Sequence, residues 1–283
     1  MKCLFMICST GKGDGLVITS DEMAALERPV RKSNFLIQKS RFSLSLMQQK
    51  IMLFLISQIS PLDEDFRDYT FSIPEFCKIT GIDISGGNYE ILKTAILDIV
   101  RKRLWIEKEN GEEVTVAWID KATLKRGDGT IKIRLDEDMK PYLLQLKGNY
   151  TTIELIWTLH FKSKYTIRLY ELVKSIHFHE LEEYQREFSL EELRRLLDAE
   201  KYERWVHFRQ RVLDPAVQEV NEYSDKNLKW QPIKRGRSIE RIRFTITAKD
   251  SLEVLQLRDR IAKELGYEQL TLWDKLEERG LVK

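Results

Sequence analysis

The stretch "FSIPEFCKITG", beginning at Phe71, returns as "FSLEELRRLLD" beginning at Phe188. Each copy opens Phe-Ser, sets a Glu three positions after the Ser (Glu75, Glu192) and continues with apolar residues at helical spacing. Downstream, Tyr89, Leu92, Ile96, Leu97, Asp98 and Val100 align with Trp205, Phe208, Val212, Leu213, Asp214 and Ala216 at an offset of 116 residues. Upstream, Leu55, Ile56 and Ile59 align with Leu172, Val173 and Ile176 at 117. Three segments in one order at nearly one offset predict two copies of one fold.

Each copy predicts the same elements. A long apolar-faced helix (44–59, then 163–178) precedes a short helix (73–80, then 189–197) capped by Ser72 or Ser189. A Ser hydroxyl accepts a bond from a free N–H of the first turn. A turn then leads to a third helix (88–103, then 202–223), and two alternating strands follow. In the first copy these are "EEVTVAWID" (112–120) and "TIKIRLDE" (130–137), separated by Lys125–Gly129. In the second they are "LKWQPI" (228–233) and "IERIRFTIT" (239–247), flanking Lys234–Ser238. Three helices and a hairpin make a winged helix, whose third helix can enter a major groove. The predicted class is therefore α+β, two tandem winged-helix domains related by an internal repeat. The first domain is set at 31–148 and the second at 149–249, between an N-terminal tail (1–30), expected to be poorly ordered, and a C-terminal helical tail (250–283).

On the third helix of copy two, Trp205, Phe208, Val212, Ala216, Val220 and Tyr223 share one face, predicted to be core. The opposite face carries Arg204, His207, Gln210, Arg211, Asp214 and Gln218. Arg and Gln can hydrogen-bond base edges, although an ordinary solvated helix face would look the same. The wing favours the DNA reading. Lys226, Lys229, Lys234, Arg235, Arg237, Arg241 and Arg243 are offset within that window only by Glu240. Basic side chains at a hairpin tip suit a phosphate backbone. Lys162, Lys164 and Ser189, where the first two helices of copy two begin, complete its candidate contacts. Copy one offers Asn88, Lys93 and Arg101 on its third helix and Lys121, Lys125 and Arg126 on its hairpin. Copy two is expected to do most of the sequence reading. The net charge of only +2 hides this local imbalance, because acids gather elsewhere, as at Glu180–Glu183.

"SNFLIQKSRFSLSLMQQKIMLFLISQI" (33–59), "SKYTIRLYELVKS" (163–175) and "FRQRVLDPAVQEVNEYSDKNLKW" (208–230) resemble the plasmid replication initiators of the iteron-binding Rep family, a tandem winged-helix fold. Leu169–Leu172 and Glu219–Asn221 carry the most specific part of the likeness, which spans about residues 31–247. It implies binding to repeated sites (iterons) in double-stranded origin DNA, origin opening and recruitment of the host replication initiator and helicase machinery. It also implies repression of the protein's own gene, and a homodimer in equilibrium with a monomer, paired through the first domain. Gln210 and His207 stand on a reading helix that in this family is often richer in Arg.

The segment "SIHFHE" (175–180) raises an enzymatic alternative, since His-hydrophobe-His followed by a Tyr, here Tyr184, marks DNA-nicking replication proteins. Such a pair shares a metal when it lies on a strand. Here helical spacing runs up to His177, and residues two apart on a helix diverge by about 200°. No catalytic residue, metal site or cofactor is expected. A transcriptional repressor of the same fold, binding one palindrome as a dimer, is the other alternative. Cys3, Cys8 and Cys77 show no metal spacing and suit a reducing cytoplasm. No apolar run approaches the roughly 18–20 residues that cross a membrane. Gly11–Gly15 lacks phosphate-loop spacing.

Overall fold

The computed structural model describes residues 28–60, 63–80, 88–125, 129–176 and 182–264. Strand β1 (Pro29–Ser33) runs into helix α1 (Asn34–Lys39), whose cap is Ser33, and then into a short strand β2 (Ser40–Arg41). Helix α2 (Leu46–Ser57) starts at a complete capping box. The Gln48 N–H donates to Ser45 Oγ at 3.3 Å, and the Ser45 N–H donates back to Gln48 Oε1 at 2.9 Å. Residues Ile51 to Ser57 are all buried, as a helix apolar on every side must be. Phe54 anchors it, edge-on to Phe71 and Phe76 at 5.2 Å each.

Strand β3 (Tyr69–Ser72) ends in the first Phe-Ser pair and feeds α3 (Ile73–Thr80). The third helix α4 (Asn88–Arg101) follows, then strands β4 (Arg103–Glu107), β5 (Glu113–Ala117), β6 (Ile119–Lys125) and β7 (Thr130–Leu135). The predicted single strand over 112–120 is corrected here. β5 pairs with β4 in a sheet ordered β2-β4-β5, while the wing partner of β7 is β6, in a sheet ordered β3-β7-β6. Val116, Ala117, Trp118 and Ile119 are buried in succession. A strand with one solvent face would alternate. Four buried residues in a row mark the place where the chain passes from one sheet to the other.

A 3-10 turn and α5 (Lys140–Leu143) lead to strand β8 (Tyr150–Glu154), α6 (Leu155–His160) and α7 (Lys164–Ile176). Strand β9 (Glu183–Ser189) ends in the second Phe-Ser pair, and Ser189 Oγ caps α8 (Leu190–Leu196) by accepting the Glu192 N–H at 3.0 Å. The third helix is built from α9 (Trp205–Phe208), a wide π turn (Arg209–Leu213) and α10 (Asp214–Tyr223). Strands β10 (Lys226–Arg235) and β11 (Ser238–Ala248) form the wing in a sheet ordered β10-β11-β9. Helix α11 (Ser251–Glu264) folds back onto α6, with the Arg258 guanidinium 5.5 Å from the centre of the Trp157 ring.

The position 148–149, where the sequence suggested a domain boundary, immediately precedes β8. That strand pairs antiparallel with β1 from Pro29↔Glu154 to Ser33↔Tyr150, so residues on either side of the suggested boundary share a sheet. Behind it lies a buried ion network. Glu171 on α7 accepts from Lys32 Nζ at 2.6 Å and from Arg168 Nη1 at 2.8 Å, and all three side chains are at most 6% exposed. Arg168 also donates to the carbonyls of Ile37 (3.3 Å), Ser40 (3.2 Å) and Leu196 (3.3 Å), and its guanidinium lies 4.5 Å from the Phe42 ring centre. Five of its partners thus come from both halves of the chain.

Burial alone would push the Glu171 carboxyl up, but Lys32 and Arg168 outweigh it and hold the group below its ordinary value of 4.5. A carboxyl depressed on folding contributes stability above its unfolded pKa and loses it as the pH falls through the folded one. Removing one member of such a network leaves an uncompensated buried charge. Glu171→Gln should therefore lower the unfolding free energy by about 3–5 kcal/mol at neutral pH. The gap from the parent protein should narrow as the pH falls below the carboxylate range. Denaturant unfolding of both proteins across pH checks this; a pH-independent gap would contradict it.

Candidate nucleic-acid interface

The third helix of the second half is held from beneath by Phe208, Val212, Leu213, Ala216, Val217 and Val220, all buried. Phe208, Val212, Ala216 and Val220 were expected there. Trp205 and Tyr223, expected in the core, are half-buried and pack against its edge. Leu213 and Val217 join because the helix widens. The Asp214 N–H reaches the Arg209 carbonyl, five residues back, and Pro215 follows with no N–H to continue the ladder. A wide turn shifts the phase of every side chain after it, which a fixed 100° step cannot foresee.

Arg204, His207, Gln210, Arg211 and Gln218 are all exposed along this helix. Arg209, the first residue of the widened turn and absent from the expected set, is exposed as well. Its Nε donates to Asp214 Oδ2 at 3.0 Å, and its guanidinium lies 5.6 Å from the Trp230 ring centre. Trp230 belongs to β10 and meets Trp205 edge-on at 5.7 Å. The start of the third helix and the base of the wing are thereby one aromatic unit.

Two further contacts fix the wing to the helices. The side-chain amide of Asn221 pairs with Leu228 as a neighbouring strand would, accepting its N–H at 2.6 Å and donating to its carbonyl at 3.0 Å. Two positions earlier, Glu219 Oε2 accepts the Lys162 N–H at 3.2 Å. The Glu-hydrophobe-Asn motif thus ties the third helix to the wing and to the start of α7. Beside it, Tyr170 donates to Asp225 Oδ1 at 2.6 Å and Lys174 donates to Oδ2 at 2.7 Å, where β10 begins.

The wing tip presents Lys234, Arg235 and Arg237, all exposed, around Gly236, whose φ of 62° favours a residue without Cβ. Arg235 makes a loose contact with Glu240 at 3.4 Å and keeps its side chain 84% exposed. The wing's basic run is narrower than its sequence suggested. Lys226 is only 3% exposed, lies 3.8 Å from Asp225, and has its ammonium pushed down by burial. Arg241 and Arg243, on the outer face of β11, both meet Glu187 of β9, at 3.0 Å and 2.6 Å. Glu240 is therefore not the only acid offsetting the wing. Glu187 lies 54 and 56 residues from its partners, outside any local charge window.

The remaining candidates are distributed as follows. Lys162 is exposed where α7 begins, Lys164 is ion-paired with Asp198, and the Ser189 hydroxyl already serves as a cap. In the first half, Asn88 opens α4, Lys93 donates to Glu90 at 3.2 Å, and Arg101 is exposed in the last turn. Ile91 (52%) and Leu97 (38%) are exposed on the same helix. Lys121 and Lys125 are exposed on β6, and Arg126 lies outside the described residues. Lys132 and Arg134 on β7 were not foreseen; both meet Asp68, at 2.6 Å and 2.9 Å. His177 and His179 lie outside the described residues; α7 ends at Ile176. Tyr184 is half-buried on β9, opposite Ile246 of β11. Among the described residues, no three His, Cys, Asp or Glu side chains are grouped as a metal would need. Nor is any helix among them long and apolar enough to cross a membrane.

Residues 29–174 match the family described as initiator replication protein, WH1, and residues 189–246 match the initiator Rep protein, WH2. No curated protein matches the sequence. Among solved structures, the chain is similar to the Pi initiator protein crystallised with iteron DNA, at 20% identity and a TM-score of 0.66, over 80% of this chain and 99% of that one. Domains 2 and 3 of RctB align at 12% identity and a TM-score of 0.40, over 83% of this chain and 84% of that one. With two winged-helix units in tandem and both family matches in the same order, the chain belongs to the initiator Rep proteins.

Proposed function

We propose that this chain initiates plasmid replication by binding repeated sites in double-stranded origin DNA. The observation that carries the reading is the second winged helix. Its reading helix exposes Arg204, His207, Arg209, Gln210, Arg211 and Gln218, and its wing tip exposes Lys234, Arg235 and Arg237. Family membership and the likeness to an initiator crystallised on iteron DNA support it.

In this reading the reading helix lies in a major groove and the wing tip follows the backbone. The first winged helix adds contacts through Lys93, Arg101, Lys121 and Lys125. Distorting A·T-rich DNA nearby costs a few kcal/mol, offset by the contacts of two modules. The protein acts by binding rather than by cutting, in the cytoplasm. It recruits the host initiator and helicase machinery and exchanges between a monomer and a dimer that represses its own gene.

Phosphate contacts carry no sequence information, so the wing and the reading helix should fail differently. Changing Lys234, Arg235 and Arg237 together to Ala should weaken binding to specific and random duplexes alike. The slope of log affinity against log salt should become shallower by up to about 0.9 per lost contact. An unchanged slope would contradict the placement of the wing.

Arg211→Ala and Gln210→Ala should each cost about 1–3 kcal/mol at the specific site and little on random DNA. Gel-shift titrations on both duplexes measure this. Equal losses on the two would mean that these side chains touch only the backbone.

A further inference from the structure

The two wings share a feature that stability does not account for. On the outer face of the second wing sheet, Glu187 of β9 takes Arg241 Nε at 3.0 Å, and Arg243 at 2.8 Å through Nε and 2.6 Å through Nη2. On the outer face of the first, Asp68, just before β3, takes Lys132 Nζ at 2.6 Å and Arg134 Nε at 2.9 Å. In each case one carboxylate on, or just before, an edge strand bridges two cations, two residues apart, on the middle strand of the sheet. By the 117-residue offset of the repeat, Asp68 corresponds to Gln185 and Glu187 to Thr70. The arrangement therefore does not follow simply from the alignment of the repeat.

These groups are 31–52% exposed. Ion pairs so exposed add little to folding stability. Their effect on the surrounding field is larger. A carboxylate within 3.0 Å of two cations cancels one of their charges as seen from beyond a Debye length, about 8 Å at physiological salt. At the second tip, Arg235 reaches Glu240 only at 3.4 Å, and Lys234 and Arg237 are exposed.

We infer that Glu187 and Asp68 are specificity-determining residues that hold the sheet-face cations out of contact with phosphate and so suppress binding to random DNA. The inference rests on the DNA-binding function proposed above. Affinity is left to the tips and the reading helix, where it can depend on sequence. Both carboxyls stay ionised at neutral pH, held below their ordinary values by Arg243 first for Glu187 and by Lys132 first for Asp68.

The test uses the full chain, a random-sequence duplex and a salt series. Glu187→Gln keeps the shape and removes the charge. It should tighten random-duplex binding several-fold and steepen the salt slope by about 0.9 for each phosphate newly engaged, up to about 1.8. Asp68→Asn should do the same at the first wing. Glu187→Gln combined with Arg241→Gln and Arg243→Gln should return the slope to that of the parent. Steepening that persists in this triple variant would overturn the inference. So would an unchanged or shallower slope in a Glu187→Gln protein whose thermal unfolding matches the parent. If the parent protein binds no duplex at all, the DNA-binding function fails, and the inference with it; if the parent binds and the variants do not differ from it, only the inference fails.

Discussion

The contact on which the rest of the structure depends is the buried Arg168–Glu171–Lys32 network. Desolvating three charges is costly, and their mutual attraction offsets that cost only where the remaining donors are satisfied. Arg168 meets this condition by donating to three backbone carbonyls, from Ile37, Ser40 and Leu196. The geometry that makes the network tolerable therefore draws the turn after α1, the helix α7 and the end of α8 to one point. The shared β1–β8 sheet adds main-chain pairing beside it. The Arg168–Leu196 bond carries the network from the region matching WH1 into the region matching WH2, so the separation of the two units becomes a property of the protein. A linker would instead leave the spacing of DNA sites free.

Much of this was legible in the sequence because much of it is local. The Phe-Ser pairs end strands in both halves, and Ser189 caps its helix as its position predicts. The long helices, the third helices and the second wing tip stand where apolar spacing and turn residues place them. The features that escaped have partners far along the chain or depend on a break in periodicity. Trp118 ends one strand's alternation and starts another's, so two sheets read as one hairpin. Pro215 was the visible sign of the wide turn, but a Pro alone does not say how the ladder before it rearranges.

Charge was the least legible property. Summed over the chain it is +2, and summed over the wing window it is strongly positive, yet neither figure describes the surface. Lys226 is inside, beside Asp225, and Arg241 and Arg243 are held by a Glu from another strand. Only three-dimensional pairing separates cations that can meet a phosphate from those already engaged. Exposed cations of the wing and third helix include Lys229 on β10, Lys234, Arg235 and Arg237 at the tip, and Arg204, Arg209 and Arg211 on the helix. Of these, Arg209 leans on Trp230 and Asp214, which joins the helix to the wing electrostatically as well as by packing.

The central claim is that this joined pair of winged helices recognises repeated DNA sites. Hydroxyl-radical footprinting of the purified protein on the DNA flanking its own gene tests it most directly. The account predicts several protected copies of one short sequence, each with the same internal pattern because the two modules are held in fixed relation, beside an A·T-rich stretch. A single protected palindrome, or protection without a repeated pattern, would contradict it.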